Sequence, residues 1–153
     1  MYRLEYKQHI PVTLDKAWEF FSSPKNLNKI TPPDLSFKIL SPESDIEKMY
    51  EGQIIMYKVK PFPFFEFNWV TEITQVRDNK FFIDEQRFGP YKFWHHQHHF
   101  REVMGGVEMV DLLHYDLPFG IVGKLVHPIL IEKKVNSIFE YRKKIVDEIF
   151  GII

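Results

Sequence analysis

The sequence predicts an α+β fold in which a curved antiparallel sheet wraps around a long C-terminal helix. Three observations support this prediction. Between residues 35 and 117 the chain shows strand-like runs separated by short turn signals, without a long helical period. Two short helical segments precede these runs, and from residue 121 apolar residues recur at spacings of three and four. We expect residues 1–153 to form a single domain, because no linker, repeat or low-complexity segment divides them.

The first 30 residues predict one strand followed by two short helices. Apolar and charged residues alternate over residues 2–7, which is typical of a strand with one buried face. Thr13 is a candidate N-cap for the first helix, which has an acidic residue in its first turn. Ser23, with a proline after it, is a candidate cap for a second helix that runs through Ile30 and ends before the two prolines at 32–33.

Six further strands are predicted, so that the sheet has seven. Turn residues at short spacing indicate that consecutive strands form antiparallel hairpins. The predicted strands are Leu35–Leu40, Gln53–Val59, Phe65–Val76, Phe81–Phe88, Phe93–Val103 and Val107–Leu117. The two prolines within Pro61–Phe64 each lack an N–H for the strand ladder, so we expect this segment at a hairpin tip or a sheet edge.

The C-terminal part of the chain is predicted to be one long amphipathic helix. Apolar residues recur from Ile121 to Ile149, and lysines and glutamates lie mostly on the opposite side. Pro128, near the start of this helix, is a candidate kink.

The composition excludes several classes of function. The net charge of −1 provides no basic field for nucleic acid, and the absence of cysteine excludes disulfides, thiolate metal sites and a cysteine nucleophile. The N-terminus shows no signal-peptide pattern, so we expect a cytoplasmic location. The longest apolar stretch, Leu117–Ile131, is interrupted by polar residues and is shorter than the roughly 20 residues that span a bilayer, so we expect no membrane insertion.

The strand that contains four histidines is the most informative segment for function. Because side chains alternate along a strand, Trp94, His96, His98 and Phe100 share one face, and the other two histidines lie on the opposite face. The first face is aromatic at both ends and polar in the middle. This pattern is typical of the wall of a pocket for a largely apolar ligand.

The order of elements and three segments resemble the SRPBCC superfamily, which comprises START, pollen-allergen and polyketide-cyclase proteins and has the helix-grip fold. The segments are NLNKITPP at 26–33, FFIDEQRFGPYKFWHHQHHF at 81–100, and DLPFGIVGKL at 116–125 followed by FEYRKK at 139–144. The resemblance is to a small, stand-alone bacterial branch. It implies a cavity between the concave face of the sheet and the C-terminal helix, which the superfamily uses for lipids, sterols, polyketides and plant hormones. Some relatives are cyclases or hydrolases, but no known catalytic set maps onto this chain.

The predicted ligand wall combines aromatic and polar residues from three strands. Its members are Trp69, Trp94, His96, His98, Phe100, Asp111 and Tyr115, with Leu125 and Ile129 of the last helix as the floor. Asp111 is the one acid in an apolar row, so it needs a partner, for which His98 or an arginine is a candidate. A pair made of His96 or His98 with Asp111 is also a candidate for general acid–base catalysis.

Two questions about the histidine strand remain open at the level of sequence. The spacing of His96 and His98 is compatible with one metal ion, but nothing selects the third ligand among Asp111, His114, Asp84 and Glu85, so we expect no metal and no cofactor. The facing residues depend on the hairpin loop. An even loop places Glu85 on the face of His96, and an odd loop or a bulge places Asp84 there. The resemblance favours Asp84.

The function that we expect is the binding or transport of a small hydrophobic molecule of lipid, polyketide or aromatic type. One alternative is an enzyme of the cyclase, dehydratase or hydrolase type that uses a His/Asp pair in the same cavity. Another is a protein-interaction module that docks through the apolar loop Phe62–Phe65. The expected partner is a small apolar ligand and not nucleic acid, and the expected state is a monomer or weak homodimer.

Overall fold

The computed structural model describes residues 1–40, 48–62, 64–118, 120 and 130–152. Seven strands form one antiparallel sheet in the order β1-β7-β6-β5-β4-β3-β2. The strands are β1 Tyr2–Ile10, β2 Lys38–Ile39, β3 Ile54–Phe62, β4 Phe65–Arg77, β5 Phe81–Phe88, β6 Phe93–Val103 and β7 Gly106–Asp116. The predicted seven-stranded antiparallel sheet is therefore confirmed.

Two short helices follow β1, and a long helix lies near the C-terminus, as predicted. The helices are α1 Leu14–Phe21, α2 Pro24–Leu27 and α3 Glu132–Phe150, and a single 3-10 turn covers Pro33–Leu35. None of the helices in the described ranges is long and apolar enough to cross a membrane.

Threonine hydroxyls form hydrogen bonds at the start of α1 and at the end of α2. Thr13 caps α1, because its side-chain oxygen accepts a hydrogen bond from the N–H of Lys16. The prediction that α2 continues through Ile30 was wrong. The hydroxyl of Thr31 donates to the carbonyl of Leu27 at 2.6 Å, and α2 ends at that residue.

The edge of the sheet differs most from the prediction. The strand predicted at 35–40 is reduced to the two residues of β2, because Leu35 lies in the 3-10 turn and is buried there. Pro61 lies within β3, at a register irregularity between Val59 and Phe62 next to the hairpin tip, where a missing N–H does not interrupt a regular ladder.

Helix α3 packs across the concave face of the sheet through Val135, Phe139 and Val146, which are buried. The ring of Tyr6 in β1 stacks on Phe139 with 4.2 Å between centroids, and its hydroxyl donates to the side chain of Asn136. The first part of the predicted helix, with Leu125, Pro128 and Ile129, lies outside the described residues.

One hydrophobic core cluster fills part of the space between the sheet and the helices. Trp18 and Phe21 of α1 pack against Phe82 of β5 and Phe100 of β6, with the Trp18 and Phe100 rings edge to face at 5.6 Å. Phe21 and Phe82 also line the cavity described next, so the cavity adjoins this cluster.

Candidate functional site

A cavity of about 370 Å³ lies between the concave face of the sheet, helix α3 and the segment that contains α1 and α2. Its walls are mostly aromatic and aliphatic, and its polar side chains come chiefly from β4, β5, β6 and α3. Residues that line it include Phe21, Leu27, Ile30, Ile55, Tyr57, Val59, Phe67, Trp69, Thr71, Ile73, Phe82, Asp84, Tyr91, Trp94, His96, His98, Leu117, Lys134, Ile138, Phe139 and Arg142.

The register of the β5–β6 hairpin decides which acid meets the histidines. Asp84 lies directly opposite His96 in the ladder. The side chain of Gln86 holds this register, because its Nε2 donates to the carbonyl of Tyr91 at 2.6 Å and its Oε1 accepts from the N–H of Tyr91 at 3.2 Å. The hairpin thus places Asp84 and not Glu85 on the cavity face, as the resemblance indicated.

Two histidines and two aspartates form a closed group at the polar end of the cavity, which we call the His/Asp cluster: Asp84, His96, His98 and Asp111. Asp84 Oδ2 lies 2.9 Å from His98 Nε2 and 3.6 Å from His96 Nδ1. Asp111 Oδ1 lies 3.0 Å from His96 Nε2 and 2.7 Å from His98 Nδ1, although the latter approach lacks hydrogen-bond geometry. Each carboxylate therefore contacts both imidazoles, and the imidazole rings themselves are 3.9 Å apart.

The carboxylates and the histidines of this cluster shift one another's pKa values. Burial disfavours the charged forms of Asp84 and Asp111, but the charges and hydrogen bonds of the two histidines outweigh it and lower the pKa of both carboxyls. Burial also lowers the pKa of His96, and the charge of His98 adds to this effect. For His98 the contacts with Asp111 and Asp84 outweigh burial and raise the pKa.

These directions favour the ionised form of both carboxyls, the protonated form of His98 and the neutral form of His96. Because a carboxylate can only accept, the 3.0 Å contact between His96 Nε2 and Asp111 requires the proton on Nε2. The Nδ1 atom of His96 then carries a lone pair. This lone pair can take up a proton, accept a hydrogen bond from a ligand hydroxyl or coordinate a metal ion.

Arg142 of α3 is the second cationic group at this end of the cavity. Its Nη1 lies 3.8 Å from Asp111 Oδ1, and its guanidinium carbon lies 5.2 Å from the ring centre of Phe139. Its Nε is buried without a hydrogen-bond partner among the described residues. With a side chain only 12% exposed, Arg142 has hydrogen-bonding capacity left for a ligand oxygen.

An aromatic wall lies beside the cluster. The indole rings of Trp69 and Trp94 meet edge to face at 5.2 Å, and Tyr91 lies 4.6 Å from Trp94. The indole N–H of Trp69 donates to Thr71 Oγ1 at 3.0 Å, and the hydroxyl of Tyr57 contacts the same oxygen at 2.6 Å. This arrangement leaves mainly apolar ring surface towards the cavity.

The structure separates the residues predicted for the wall into two layers. Trp69, Trp94, His96 and His98 line the cavity. Phe100, Asp111 and Tyr115 lie behind that layer and are almost fully buried, with Phe100 in the core against α1 and Tyr115 beneath α3, so we assign them no direct contact with a ligand. The predicted floor residues Leu125 and Ile129 lie outside the described residues.

The other two histidines of β6 lie on the opposite face, as strand alternation predicts. His95 Nδ1 pairs with Glu85 at 2.7 Å, and His99 Nε2 contacts Gln97 at 2.9 Å. His114, one of the candidate metal ligands, is opposite His95 on this outer face and so is separated from the His/Asp cluster.

Sequence reasoning missed Arg142 as a site residue, and it missed Tyr57, Thr71 and Tyr91. One signal was present for Arg142, because it occupies a position in the apolar period of the last helix between Phe139 and Ile145. A charged residue at such a position faces the sheet and requires a partner. For the other three no comparable signal exists, since aromatic and threonine residues are ordinary in strands.

Comparison with solved structures finds the same fold across nearly the whole chain. Protein CV1439 from Chromobacterium violaceum matches with a TM-score of 0.72 and 10% identity over 99% of this chain and 98% of that one. TTHA0849 from Thermus thermophilus matches with a TM-score of 0.65, 17% identity and coverage of 95% and 97%. The protein Ara h 8.0201 matches with a TM-score of 0.65, 12% identity and the same two coverages. No family model and no curated protein matches the sequence.

Identities of this size establish the fold and not the ligand or the activity. The element order, the single antiparallel sheet and the helix across its concave face agree with these structures. The chain therefore has the helix-grip fold, which is the fold that its sequence resemblance implied.

Proposed function

We propose that this protein binds a small, largely apolar molecule in the cavity between the sheet and α3, with one polar group of the ligand directed at the His/Asp cluster and Arg142. The observation that carries the proposal is the cavity itself. Its volume of about 370 Å³ falls in the range of about 300–1,000 Å³ that is usual for small-molecule sites. An apolar wall with a few convergent polar groups is the usual composition of such a site.

The distribution of polarity indicates how a ligand would lie. The rings of Trp69, Trp94 and Tyr91 offer flat apolar surface on one side of the cavity. His96 Nδ1 provides an acceptor, and the guanidinium of Arg142 provides donors. An aromatic or alicyclic skeleton with a carbonyl, hydroxyl or carboxylate group matches both features.

The experiment uses a fluorescent apolar anion, 1-anilinonaphthalene-8-sulfonate, and a pair of variants in β3. Ile55 lines the cavity, whereas its neighbour Ile54 is on the opposite face and is 39% exposed. Ile55→Phe adds ring volume inside the cavity, so we expect it to weaken probe binding at least tenfold. Ile54→Phe adds the same volume outside and should leave the affinity within about twofold.

Native mass spectrometry of gently purified wild-type protein gives a second measurement that needs no variant. We expect a population with a bound mass of a few hundred daltons that is lost after extraction with organic solvent. Absence of any bound mass, together with equal probe affinity in both β3 variants, would refute the proposal.

A second candidate function, general acid–base catalysis, is favoured by the lone pair on His96 Nδ1. Asp111 holds the opposite nitrogen of that ring as a donor, which is the arrangement that orients a histidine base. For such an enzyme of the cyclase, dehydratase or hydrolase type, His96→Gln should abolish turnover of a bound carbonyl compound and spare its affinity. Unchanged turnover would exclude this candidate.

A further inference from the structure

We propose that Asp84, His96 and His98 bind one divalent transition-metal ion at the polar end of the cavity, with Asp111 as the group that orients both imidazoles. The inference deepens the proposed function, on which it rests, because it assigns a chemical partner to the ligand's polar group. It departs from the expectation of no metal, since the hairpin register supplies the third ligand that the sequence could not select.

The three donor atoms already converge. Asp84 Oδ2, His96 Nδ1 and His98 Nε2 all lie within 4.8 Å of one another, and the carboxylate oxygen lies 2.9 Å and 3.6 Å from the two nitrogens. Ligand bonds of about 2.0–2.2 Å in a tetrahedral site separate neighbouring donor atoms by about 3.3–3.5 Å. The two distances from the carboxylate oxygen to the ring nitrogens lie within a few tenths of an ångström of this range, and the separation of the two nitrogens is within 4.8 Å.

The opposite nitrogens of both rings contact one carboxylate. Asp111 Oδ1 lies 3.0 Å from His96 Nε2 and 2.7 Å from His98 Nδ1. Histidines that bind metals usually donate their second N–H to a carboxylate or carbonyl, which fixes the tautomer and the ring orientation. Here a single buried acid provides that contact for both rings, and a rotation of the His98 ring would bring its buried Nδ1 into line with it.

The contact between His98 and Asp84 is the position that an ion would occupy. His98 Nε2 and Asp84 Oδ2 lie 2.9 Å apart. A metal ion that binds both atoms would displace any proton between them, and that proton would go to solvent. His96 Nε2 and His98 Nδ1 would then remain as the ring nitrogens that face Asp111.

Two imidazoles and one carboxylate suit zinc, iron(II), cobalt(II) or nickel(II) rather than magnesium or calcium. Three protein ligands leave at least one coordination position, and the cavity adjoins the cluster. With two carboxylates, Arg142 and neutral histidines, a divalent ion gives the site a charge of about +1, which favours a ligand with an anionic oxygen. The chemical class of ligand is thus a carboxylate, enolate or phenolate on an apolar skeleton.

The test titrates metal-free, untagged protein with Zn²⁺ by calorimetry and with Co²⁺ by visible absorption. A matched control exists on the same strand, because His95 and His99 lie on the outer face. We expect the wild type and the His95→Gln/His99→Gln variant to bind one equivalent with affinities within about threefold. His96→Gln and Asp84→Asn should each lower the affinity at least 100-fold, and Asp111→Asn should lower it about 10- to 100-fold.

A measurement on the wild type guards against variants that fail to fold. In histidine-selective NMR spectra, Zn²⁺ should shift the ring nitrogens of His96 and His98 and leave those of His95 and His99 in place. Failure of the wild type to bind an equivalent of either metal, or loss of binding in the outer-face control, would overturn the proposal.

The failure of this inference is distinguishable from failure of the proposed function. Probe binding by the protein in the presence of EDTA, without any metal binding, would refute the metal site alone. Metal binding without any binding of an apolar probe would refute the ligand cavity alone.

Discussion

At the scale of single residues, Asp111 determines the electrostatics of the cavity end. One oxygen of this buried acid contacts His96, His98 and Arg142 at 3.0, 2.7 and 3.8 Å. An acid at this position in an apolar strand face is predictable as one that needs a partner, and the candidates from sequence were His98 or an arginine. Both contacts exist in the structure. Their simultaneous presence could not be predicted, because it depends on how α3 packs against β7.

Replacement of Asp111 by asparagine should lower the free energy of unfolding by about 3 kcal/mol, because the buried Arg142 loses its contact with the Asp111 carboxylate and His98 keeps only the carboxylate of Asp84. Urea unfolding at neutral pH measures the change. Glu108→Gln is the matched control, since Glu108 lies on the same strand and pairs with an exposed arginine at 2.7 Å. Glu108→Gln should lower the free energy of unfolding by less than about 1 kcal/mol. Equal losses in the two variants would contradict a special role for Asp111.

At the scale of elements, the β5–β6 hairpin illustrates what could and could not be predicted from the sequence. Strand alternation placed His96 and His98 on one face, and the structure confirms this. The partner of His96 could not be derived from alternation, because it depends on the two hydrogen bonds between Gln86 and the backbone of Tyr91. Such side-chain contacts to a loop leave no periodic signal in the sequence.

The contact between β1 and α3 predicts a specific pH dependence. Burial raises the pKa of Tyr6 to about 12 from an ordinary value of 10.0, and nearby acids, chiefly Glu140, add to this shift. The folded state therefore keeps the phenol protonated where the unfolded chain ionises it. Its contribution to stability is complete below pH 10 and is lost as the pH rises from about 10 to 12.

Urea unfolding at several alkaline pH values compares the wild type with Tyr6→Phe. At neutral pH the variant should be less stable by about 1 kcal/mol, because it lacks the hydrogen bond to Asn136. Between pH 10 and 12 its stability should fall less steeply than that of the wild type. Parallel curves for the two proteins would show that Tyr6 does not ionise differently in the folded state.

At the scale of the whole molecule, the sheet, the C-terminal helix and their order could be predicted because periods of two and of three to four residues encode them directly. The cavity could not be predicted in the same way. Its volume depends on how far α3 stands from the sheet and on packing among residues far apart in sequence, such as Phe21, Trp69 and Phe139. For the same reason strand alternation could not separate Phe100 and Tyr115 from Trp94 and His96, of which only the latter two are among the residues that line the cavity.

The joint arrangement of cavity and cations predicts selectivity for acidic ligands in the metal-free protein. Two probes of equal shape, naphthalene-2-carboxylate and naphthalene-2-carboxamide, differ only in charge and hydrogen bonding. Hydrogen bonds to charged groups contribute about 1.5–3 kcal/mol, so Arg142→Met should weaken carboxylate binding about 10- to 100-fold. The affinity for the carboxamide should change by less than about threefold.

Thermal unfolding reports the same difference, because a ligand at 100 times its dissociation constant stabilises a protein by about 2.7 kcal/mol. For a chain of this length that corresponds to a rise of roughly 5–11 °C in Tm. The matched control is Lys134→Met, since Lys134 also lines the cavity but already pairs with Asp34 at 2.6 Å. This variant should keep the full carboxylate shift. If Lys134→Met and Arg142→Met reduced the shift equally, the selectivity would come from the general positive potential of α3 and not from the guanidinium of Arg142, whose Nε has no hydrogen-bond partner among the described residues.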